Sequence, residues 1–399
     1  MESNYDYKTL DSHSTDEVKK LWQYCFDDTP SFVEWYFKHY YHPSNTLGAF
    51  LKNKEQDSSL QAAIQLIPYT LFLRHSAVPV SYIVGVSTAP HARGGGIGKG
   101  LLLSSLEKMR SKGHFLSLLM PFEGSFYYPY DWQFAYFHHK YSLDLEELGL
   151  LRGSFGTFEK IDPINHLATL QEIYLQFVSS KHAYVLRNEQ NWKHFIQDLD
   201  LENGFCYLLK NEGKPVGYVF YSFDKENILI REMAYTTPLA KKAFFDFFYK
   251  HRSHKKRLEW AAPVDDLTYS QLGTSKTSTS LYPFLTARIV DVVGLLSSLR
   301  YTKDLPRISL KIKDTLAPWN DGIFTFEITK GHAKITPSNE ESYDFAFSIG
   351  AFTQLVLGFM DLSTLANEAL VDINCQSLAK IPLLDKIFPK MLNYINEYY

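Results

Sequence analysis

Cysteine is scarce. Cys25, Cys206 and Cys375 are the only three in 399 residues, and their wide separation offers neither a disulfide framework nor metal-ligand spacing. A reducing, cytoplasmic setting is the expectation, with no resident metal. Long apolar runs are missing too: no segment approaches the ~18 uninterrupted apolar residues of a membrane span, and the opening Met1-Glu2-Ser3-Asn4-Tyr5-Asp6 has no basic stretch leading into an apolar one. Neither a span nor a targeting segment is expected. Charge of one sign is also lacking. With 41 Lys and Arg against 44 Asp and Glu, the formal charge of -3 gives no global pull towards nucleic acid or anionic membrane, so any specificity has to be local.

What the chain has is length and apolar surface. A sequence of 399 residues with 45% hydrophobic and 16% aromatic content is long enough for two or three domains with cores of their own. Residues 15–41 read as one or two helices on which Trp22, Phe26, Phe32, Trp35 and Tyr36 share faces. Short apolar runs at 62–68 and 70–74, and a β-branched stretch at 78–88, read as strands. Leu101, Leu102, Leu103, Leu106 and Met109 then recur at helical spacing and end at Lys112-Gly113. Residues 115–120 are the next buried strand, followed by a loop at 121–125 and an aromatic run at 126–137. A first domain of residues 1–149 is expected.

Residues 150–285 repeat the strand, turn, helix, strand order, with helices at 170–177 and 191–197, strands at 205–210, 216–223, 228–235 and 257–262, and a helix at 239–251. This copy has Thr236-Thr237-Pro238 where the first has glycines, so it lacks a backbone cradle for phosphate. The stretch Gly273 to Ser280 reads as a polar surface loop. Residues 286–399 form a third domain, with a helix at 291–299, a strand at 307–313, a hairpin around Lys330-Gly331 and further helical segments to the end. His138-His139 reads as a surface pair, since neighbours on one element point apart and no carboxylate or cysteine completes a metal set. The expected fold class is α+β.

Chemistry concentrates between residues 84 and 100. A glycine-rich turn, Arg93-Gly94-Gly95-Gly96-Ile97-Gly98, stands between a buried strand and a helix start. Glycines let successive N–H groups converge, the first helical turn leaves donors unpaired, and the macrodipole favours negative charge, so a pyrophosphate fits without a metal. Arg93 and Lys99 add positive charge. The order is not a P-loop, which ends in Gly-Lys-Ser/Thr, and not a Gly-x-Gly-x-x-Gly dinucleotide turn.

That run matches an Arg/Gln-x-x-Gly-x-Gly/Ala signature, so the region resembles the GNAT superfamily of N-acetyltransferases. The resemblance implies acetyl-CoA as co-substrate, with Val84, Val86 and Thr88 pairing to pantetheine and Arg93, Gly94, Gly95, Gly96, Gly98 and Lys99 holding the pyrophosphate. Pro121 to Trp132 is similar to the segment of the enhanced intracellular survival (Eis) family that ends Ile/Phe-Tyr-x-x-Phe-Gly-Tyr/Trp, which places Tyr127 on the family's general acid, with Tyr128 and Tyr130 as rival hydroxyls. Tyr130 stands for Phe and Asp131 for Gly, and Asp tolerates the left-handed backbone such a turn needs. The same resemblance implies tandem acetyltransferase domains followed by a sterol-carrier-protein-like domain, a C-terminal carboxylate on Tyr399 in the active site, and a homo-oligomer, a hexamer in that family. Phe26, Trp35 and Tyr36 would wall an acceptor pocket. Glu123 either positions the acceptor or caps a turn.

The expected reaction is acetyl transfer to a primary amine: an aminoglycoside, a polyamine or a lysine-type acceptor. An amine of pKa ~10.4 must first lose a proton, which costs about 4.6 kcal/mol at pH 7, and a carboxylate of pKa roughly 3.5 serves as relay and attractor rather than as strong base. Tyr127, at an ordinary pKa near ~10, would give its proton to a thiolate of conjugate pKa ~8.5. The alternatives are a non-catalytic lipid or sterol binder, which leaves the glycine turn unexplained, and a cell-wall aminoacyltransferase, which typically carries a helical arm that this sequence does not show.

Overall fold

The computed structural model describes residues 4–52, 59–272 and 278–398. Its chain starts with β1 (Tyr5–Thr9), then helices α1 (Thr15–Cys25) and α2 (Pro30–His39), then strands β2 (Thr46–Leu51), β3 (Leu60–Leu73) and β4 (Ser76–Thr88). Helix α3 (Ile97–Ser111), strand β5 (Leu116–Leu119) and the single turn α4 (Gly124–Tyr127) follow. The strands lie in the order β1-β2-β3-β4-β5. All neighbours are antiparallel except β4 and β5, which α3 joins as a parallel pair. The two apolar runs at 62–68 and 70–74 are one strand, β3, because Pro68 sits exposed within it and gives up only its own N–H. Arg74 and His75, both left-handed, make the tight turn from β3 to β4.

Helix α3 shows why its leucines recur as they do. Ile97, Leu101, Leu102, Leu106 and Met109 are buried in one cluster with Leu47, Ala49, Ala62, Ile64 and Leu66 of the sheet. Gly100 is required by close approach: a Cβ there would lie 2.1 Å from the Tyr7 hydroxyl.

Contacts divide the chain into two units. The first takes the described residues up to Ala135 together with Leu285–Met391 and Tyr398, and the second takes Tyr136–Phe284 and Leu392–Glu397. In the first unit the end of the strand Ser278–Ile289 pairs antiparallel with β5, Thr286 opposite Leu119. A five-stranded sheet follows in the order His332–Ser338, Gly322–Thr329, Leu305–Lys313, Phe345–Ser348, Val371–Ile373, with helices Ile349–Leu357 and Ile381–Ile387. Arg74 binds this part to the β3–β4 turn. Its guanidinium donates to the carbonyls of Val356 at 2.7 Å, Ile387 at 3.2 Å, and Leu355 and Pro389 at 3.4 Å, so one cation serves the carboxyl ends of two helices.

The second unit sets the strand Gln133–Asp144, from Tyr136 on, beside Arg257–Pro263, Asn227–Tyr235, Lys214–Asp224, Phe205–Asn211 and Thr157–Lys160 in that order. Helix Pro238–Tyr249 packs Ala240, Ala243, Phe244 and Phe248 into their core. Two expectations need correction. The end of the chain is not helical beyond Ile387: Leu392–Glu397 runs into the second unit, where His182 N–H donates to Leu392 O and Tyr394 N–H to His182 O. Tyr394 and Ile395 are buried there. Nor is His138-His139 a surface pair. His138 is fully buried, stacked on Phe284 with its Nε2 2.8 Å from Ile395 O, and burial lowers its pKa to about 4. His139 Nε2 lies 3.0 Å from Val264 O. Neighbours on a strand do point apart, but both faces of this one are covered. Of the expected loop Gly273 to Ser280, residues 273–277 lie outside the described residues, and Ser278, Thr279 and Ser280 open a strand.

Among the described residues no helix is long and apolar enough to cross a membrane.

Candidate active site

Strands β4 and β5 stay paired only from Val80 opposite Leu116 to Ile83 opposite Leu119. Strand β4 then runs on to Thr88 while β5 stops at Leu119, so the two part. The parting starts at an irregularity. The β3–β4 register shifts between Ala63 and Gln65, where the single residue Ile64 faces two residues of β4, Val86 and Gly85, the latter left-handed at φ 61°. Only glycine fits, since a Cβ would lie 2.3 Å from the Trp22 ring. Val84, Val86 and Thr88 occupy this end of β4, which β3 still pairs and β5 no longer does; Val84 is buried, and Val86 and Thr88 are half-buried.

The glycine turn closes the same end. Gly94 and Gly96 have φ of 80° and 76°, and nothing lies within 4 Å of where a Cβ would stand on either. Gly96 is the N-cap of α3 without a side chain to bond the first N–H groups, and the first turn carries no acidic residue. The first turn therefore has no side-chain cap for its donors, and the space beside Gly94 and Gly96 is open, which suits an anion cradle. Gly98 lies next to the Phe126 ring, 3.5 Å from the position of its absent Cβ, and Gly95 is similarly placed near the Tyr5 hydroxyl, at 3.6 Å. Lys99 and Arg93 are exposed; Arg93 Nε donates to Thr88 O at 3.2 Å, which turns its side chain back onto the end of β4.

Tyr127 ends α4 and is buried in the cluster that holds Ala89, Ala92, Ile97 and Leu119. Its neighbour Phe126 meets it edge-on at 5.0 Å, so the hydroxyl-bearing ring and the cradle are linked through one aromatic side chain. Burial pushes the Tyr127 phenol up to about 12. This corrects the expected value near ~10: passing its proton to a thiolate of conjugate pKa ~8.5 is uphill by about 5 kcal/mol rather than modestly. Tyr128 is exposed and Tyr130 half-buried. The turn after them survives the exchange of Gly for Asp, with Asp131 left-handed at φ 63°.

This loop is held from behind by residues that sequence reasoning passed over. Arg288 donates to Tyr130 O at 2.9 Å and pairs with Asp314 at 2.6 Å, both side chains fully buried. Phe126 also went unremarked as the link to Gly98. Arg288 sits in an Ala-Arg-Ile-Val strand, and a lone cation amid apolar strand residues is the signal that marks a buried pair.

The other expected residues are spread over different surroundings. Glu123 is exposed and caps α4, accepting the Ser125 N–H at 3.2 Å. Phe26 and Trp35 are half-buried, and Trp22 stacks on Tyr36 at 4.6 Å and meets Phe26 at 4.8 Å. Tyr36 has no exposed surface, and its hydroxyl donates to Gln65 at 2.8 Å inside the core. It supports a wall rather than forming its face. Tyr399 lies outside the described residues. Among those described, no three His, Cys, Asp or Glu side chains converge as a metal site needs.

Residues 6–135 match the model of an acetyltransferase (GNAT) domain, residues 183–289 match another, and residues 292–396 match a sterol carrier protein domain. No curated protein matches the sequence. Among solved structures the fold is similar to a probable N-acyltransferase from Enterococcus faecalis V583, 23% identical over 100% of both chains with a TM-score of 0.87. It is also similar to a GCN5-related N-acetyltransferase from Anabaena variabilis ATCC 29413, at 19% identity over 99% of this chain and 100% of that one with a TM-score of 0.85. Eis1 from Mycobacterium abscessus is 18% identical over 99% and 100%, with a TM-score of 0.77. The GNAT fold uses acetyl-CoA. The chain is an acetyltransferase of α+β build, with two GNAT domains followed by a sterol-carrier-protein-like domain.

Proposed function

We propose that the chain transfers an acetyl group from acetyl-CoA to a primary amine of aminoglycoside, polyamine or lysine type by direct attack on the thioester. The observation that carries this reading is the open turn of Gly94 and Gly96 at the start of α3, at the mouth of the parted β4 and β5. The cradle takes the pyrophosphate, with Arg93, Gly95, Gly98 and Lys99 around it, and the end of β4 that β5 leaves, at Val84, Val86 and Thr88, pairs with pantetheine. The amine nitrogen forms a C–N bond as the C–S bond breaks, and Tyr127 gives its proton to the departing sulfur. Tyr399, by the resemblance, supplies a carboxylate that draws in the ammonium and relays its proton to water. Phe26, Trp35 and Glu123 flank the acceptor, with Tyr36 behind them.

Residues 1–149 serve as the catalytic domain, 150–285 as a degenerate copy and 286–399 as the sterol-carrier-protein-like domain. We assign the protein to the cytoplasm as a homo-oligomer, a hexamer by resemblance to Eis. The test follows CoA release from acetyl-CoA across aminoglycosides, polyamines and lysine peptides, for the parent and Tyr127→Phe. Turnover with one amine class that falls roughly 100-fold in the variant, within the usual 10²–10⁴ for a general acid, supports the assignment. Absence of acetyl-CoA binding sinks the cradle argument and moves lipid binding ahead.

A further inference from the structure

The turn that carries Tyr127 is tied down at its far end. Asp131 N–H donates to Tyr128 O at 3.0 Å and Trp132 N–H to Tyr127 O at 3.4 Å, so the turn closes on itself. Trp132 is fully buried, and its Nε1 donates to Ser117 Oγ of β5 at 3.1 Å. The Arg288 guanidinium lies over the Trp132 ring, 5.1 Å from its centre, and donates to Tyr130 O. Arg288 has a fixed seat. Its partner Asp314 also accepts the Leu316 and Ala317 N–H groups at 3.0 and 2.8 Å and the Asn320 amide at 3.1 Å, so both carboxylate oxygens are engaged.

Asp131 makes a second tie. At φ 63° it holds a conformation that glycine takes without strain. What glycine cannot supply is the carboxylate, which lies at the start of the helix Ile349–Leu357, beside the Gly350 N–H and the Ser348 hydroxyl, and which Arg288 also faces. The approach is close enough to require a glycine on the helix as well: a Cβ on Gly350 would stand 2.9 Å from Asp131 Oδ1 and 2.8 Å from Gln133 Cγ. A carboxylate at a helix N-terminus meets unpaired N–H groups and the favourable end of the dipole. The arginine and the helix, both far along the chain, thus hold the Tyr127 turn from behind.

We propose that Arg288 and Asp131 are positioning residues for acetyl transfer, which hold the Tyr127 phenol where its proton passes to the departing sulfur. The inference rests on the reading of Tyr127 as general acid. Such an acid acts only within hydrogen-bond reach of the atom it protonates, and a displacement of ~1 Å costs about 10²-fold in rate. Asp131→Gly removes the carboxylate and keeps the left-handed turn; Arg288→Lys keeps a cation beside Asp314 and loses the fork that also reaches Tyr130 O. With CoA release followed on the amine panel above, each is expected to lower kcat roughly tenfold with the KM for acetyl-CoA within about twofold of the parent. Asp131→Asn, whose amide oxygen still accepts from Gly350, recovers most of the loss. Asp131 is half-buried, so its variants decide the matter if Arg288→Lys does not fold. In a double-mutant cycle, Asp131→Gly lowers kcat no further once Tyr127→Phe has removed the proton to be placed. Losses that multiply, parent kcat in folded Asp131→Gly, or a rise in KM alone overturn the positioning role and leave the acid in place; parent kcat in Tyr127→Phe overturns both. Amide exchange needs no acceptor: residues 126–132 of Asp131→Gly are expected to exchange about tenfold faster than in the parent, with β3 unchanged, and equal rates overturn the proposal.

Discussion

At Gly94 and Gly96 the two reasons for a glycine separate. Both are left-handed and both face empty space, so a methyl group there strains the backbone by about 1–2 kcal/mol and clashes with nothing in the protein. What it does meet is any anion seated on the turn. Gly96→Ala is expected to raise the KM for acetyl-CoA roughly tenfold or more, an effect of ~1.4 kcal/mol, while its melting temperature falls by only a few degrees. Gly100→Ala is the opposite case, because its Cβ would lie 2.1 Å from the Tyr7 hydroxyl. Overpacking of about 1–3 kcal/mol lowers its melting temperature, and folded enzyme keeps the parent KM. Tyr127 gives a second test at this scale. With the phenol pushed up to about 12 by burial, the acid remains protonated throughout the range in which an amine of pKa ~10.4 loses its proton. The plot of log kcat/KM against pH therefore rises with a slope of about one from pH ~6 to ~9 and shows no falling limb assignable to Tyr127. A falling limb near pH 8 that vanishes in Tyr127→Phe would assign the tyrosine a lower pKa than burial gives it.

Elements were legible in the sequence wherever a period and a turn agreed. The order strand, glycine turn, helix and strand could be read because β-branched residues, four glycines and spaced leucines each favour the same local structure. The parting of β4 from β5 could not, since it depends on a one-residue shift of register and on Gly85 meeting Trp22. Tyr127 was found through a motif, but its depressed acidity arises from neighbours that include Val290 and Leu316, far along the chain. Arg74 shows the same limit. In sequence it ends an apolar run as any surface arginine does; in the structure it is buried among four carbonyls at the ends of two helices. Arg74→Met leaves those carbonyls without their charged donor, and each such bond contributes about 1.5–3 kcal/mol. Urea unfolding should show a loss of about 3 kcal/mol or more, with glycine-turn residues untouched and acetyl-CoA KM unchanged in the folded enzyme.

For the molecule as a whole, sequence order and spatial order part company, since both units are built from separated stretches of chain. The second unit is finished by Leu392–Glu397, which arrives from more than a hundred residues away. Its anchor is Arg187, bonded to both oxygens of Glu232 and to Glu397 at 2.7 Å each, with all three side chains almost completely buried. Asn396 adds a bond to Glu232 at 3.0 Å. Burial alone would raise the Glu232 pKa, but the Arg187 charge and its hydrogen bonds outweigh it and hold the carboxyl below its usual range. The sign follows. A depressed pKa stabilises the folded state above the unfolded value of ~4.3, and that contribution is lost as pH falls through the lower folded value. Arg187→Met removes the cation and strands two buried carboxylates, a loss of about 3–5 kcal/mol at neutral pH. It also reverses the pH response: unpaired in the core, Glu232 takes a raised pKa, so its variant regains stability as pH falls from ~7.5 to ~5.5 because protonation relieves the buried charge. Urea midpoints across that range are expected to converge towards the parent at the acid end. A deficit that stays constant with pH would mean that Arg187 holds the tail by packing on Tyr174 and Trp192 rather than by charge.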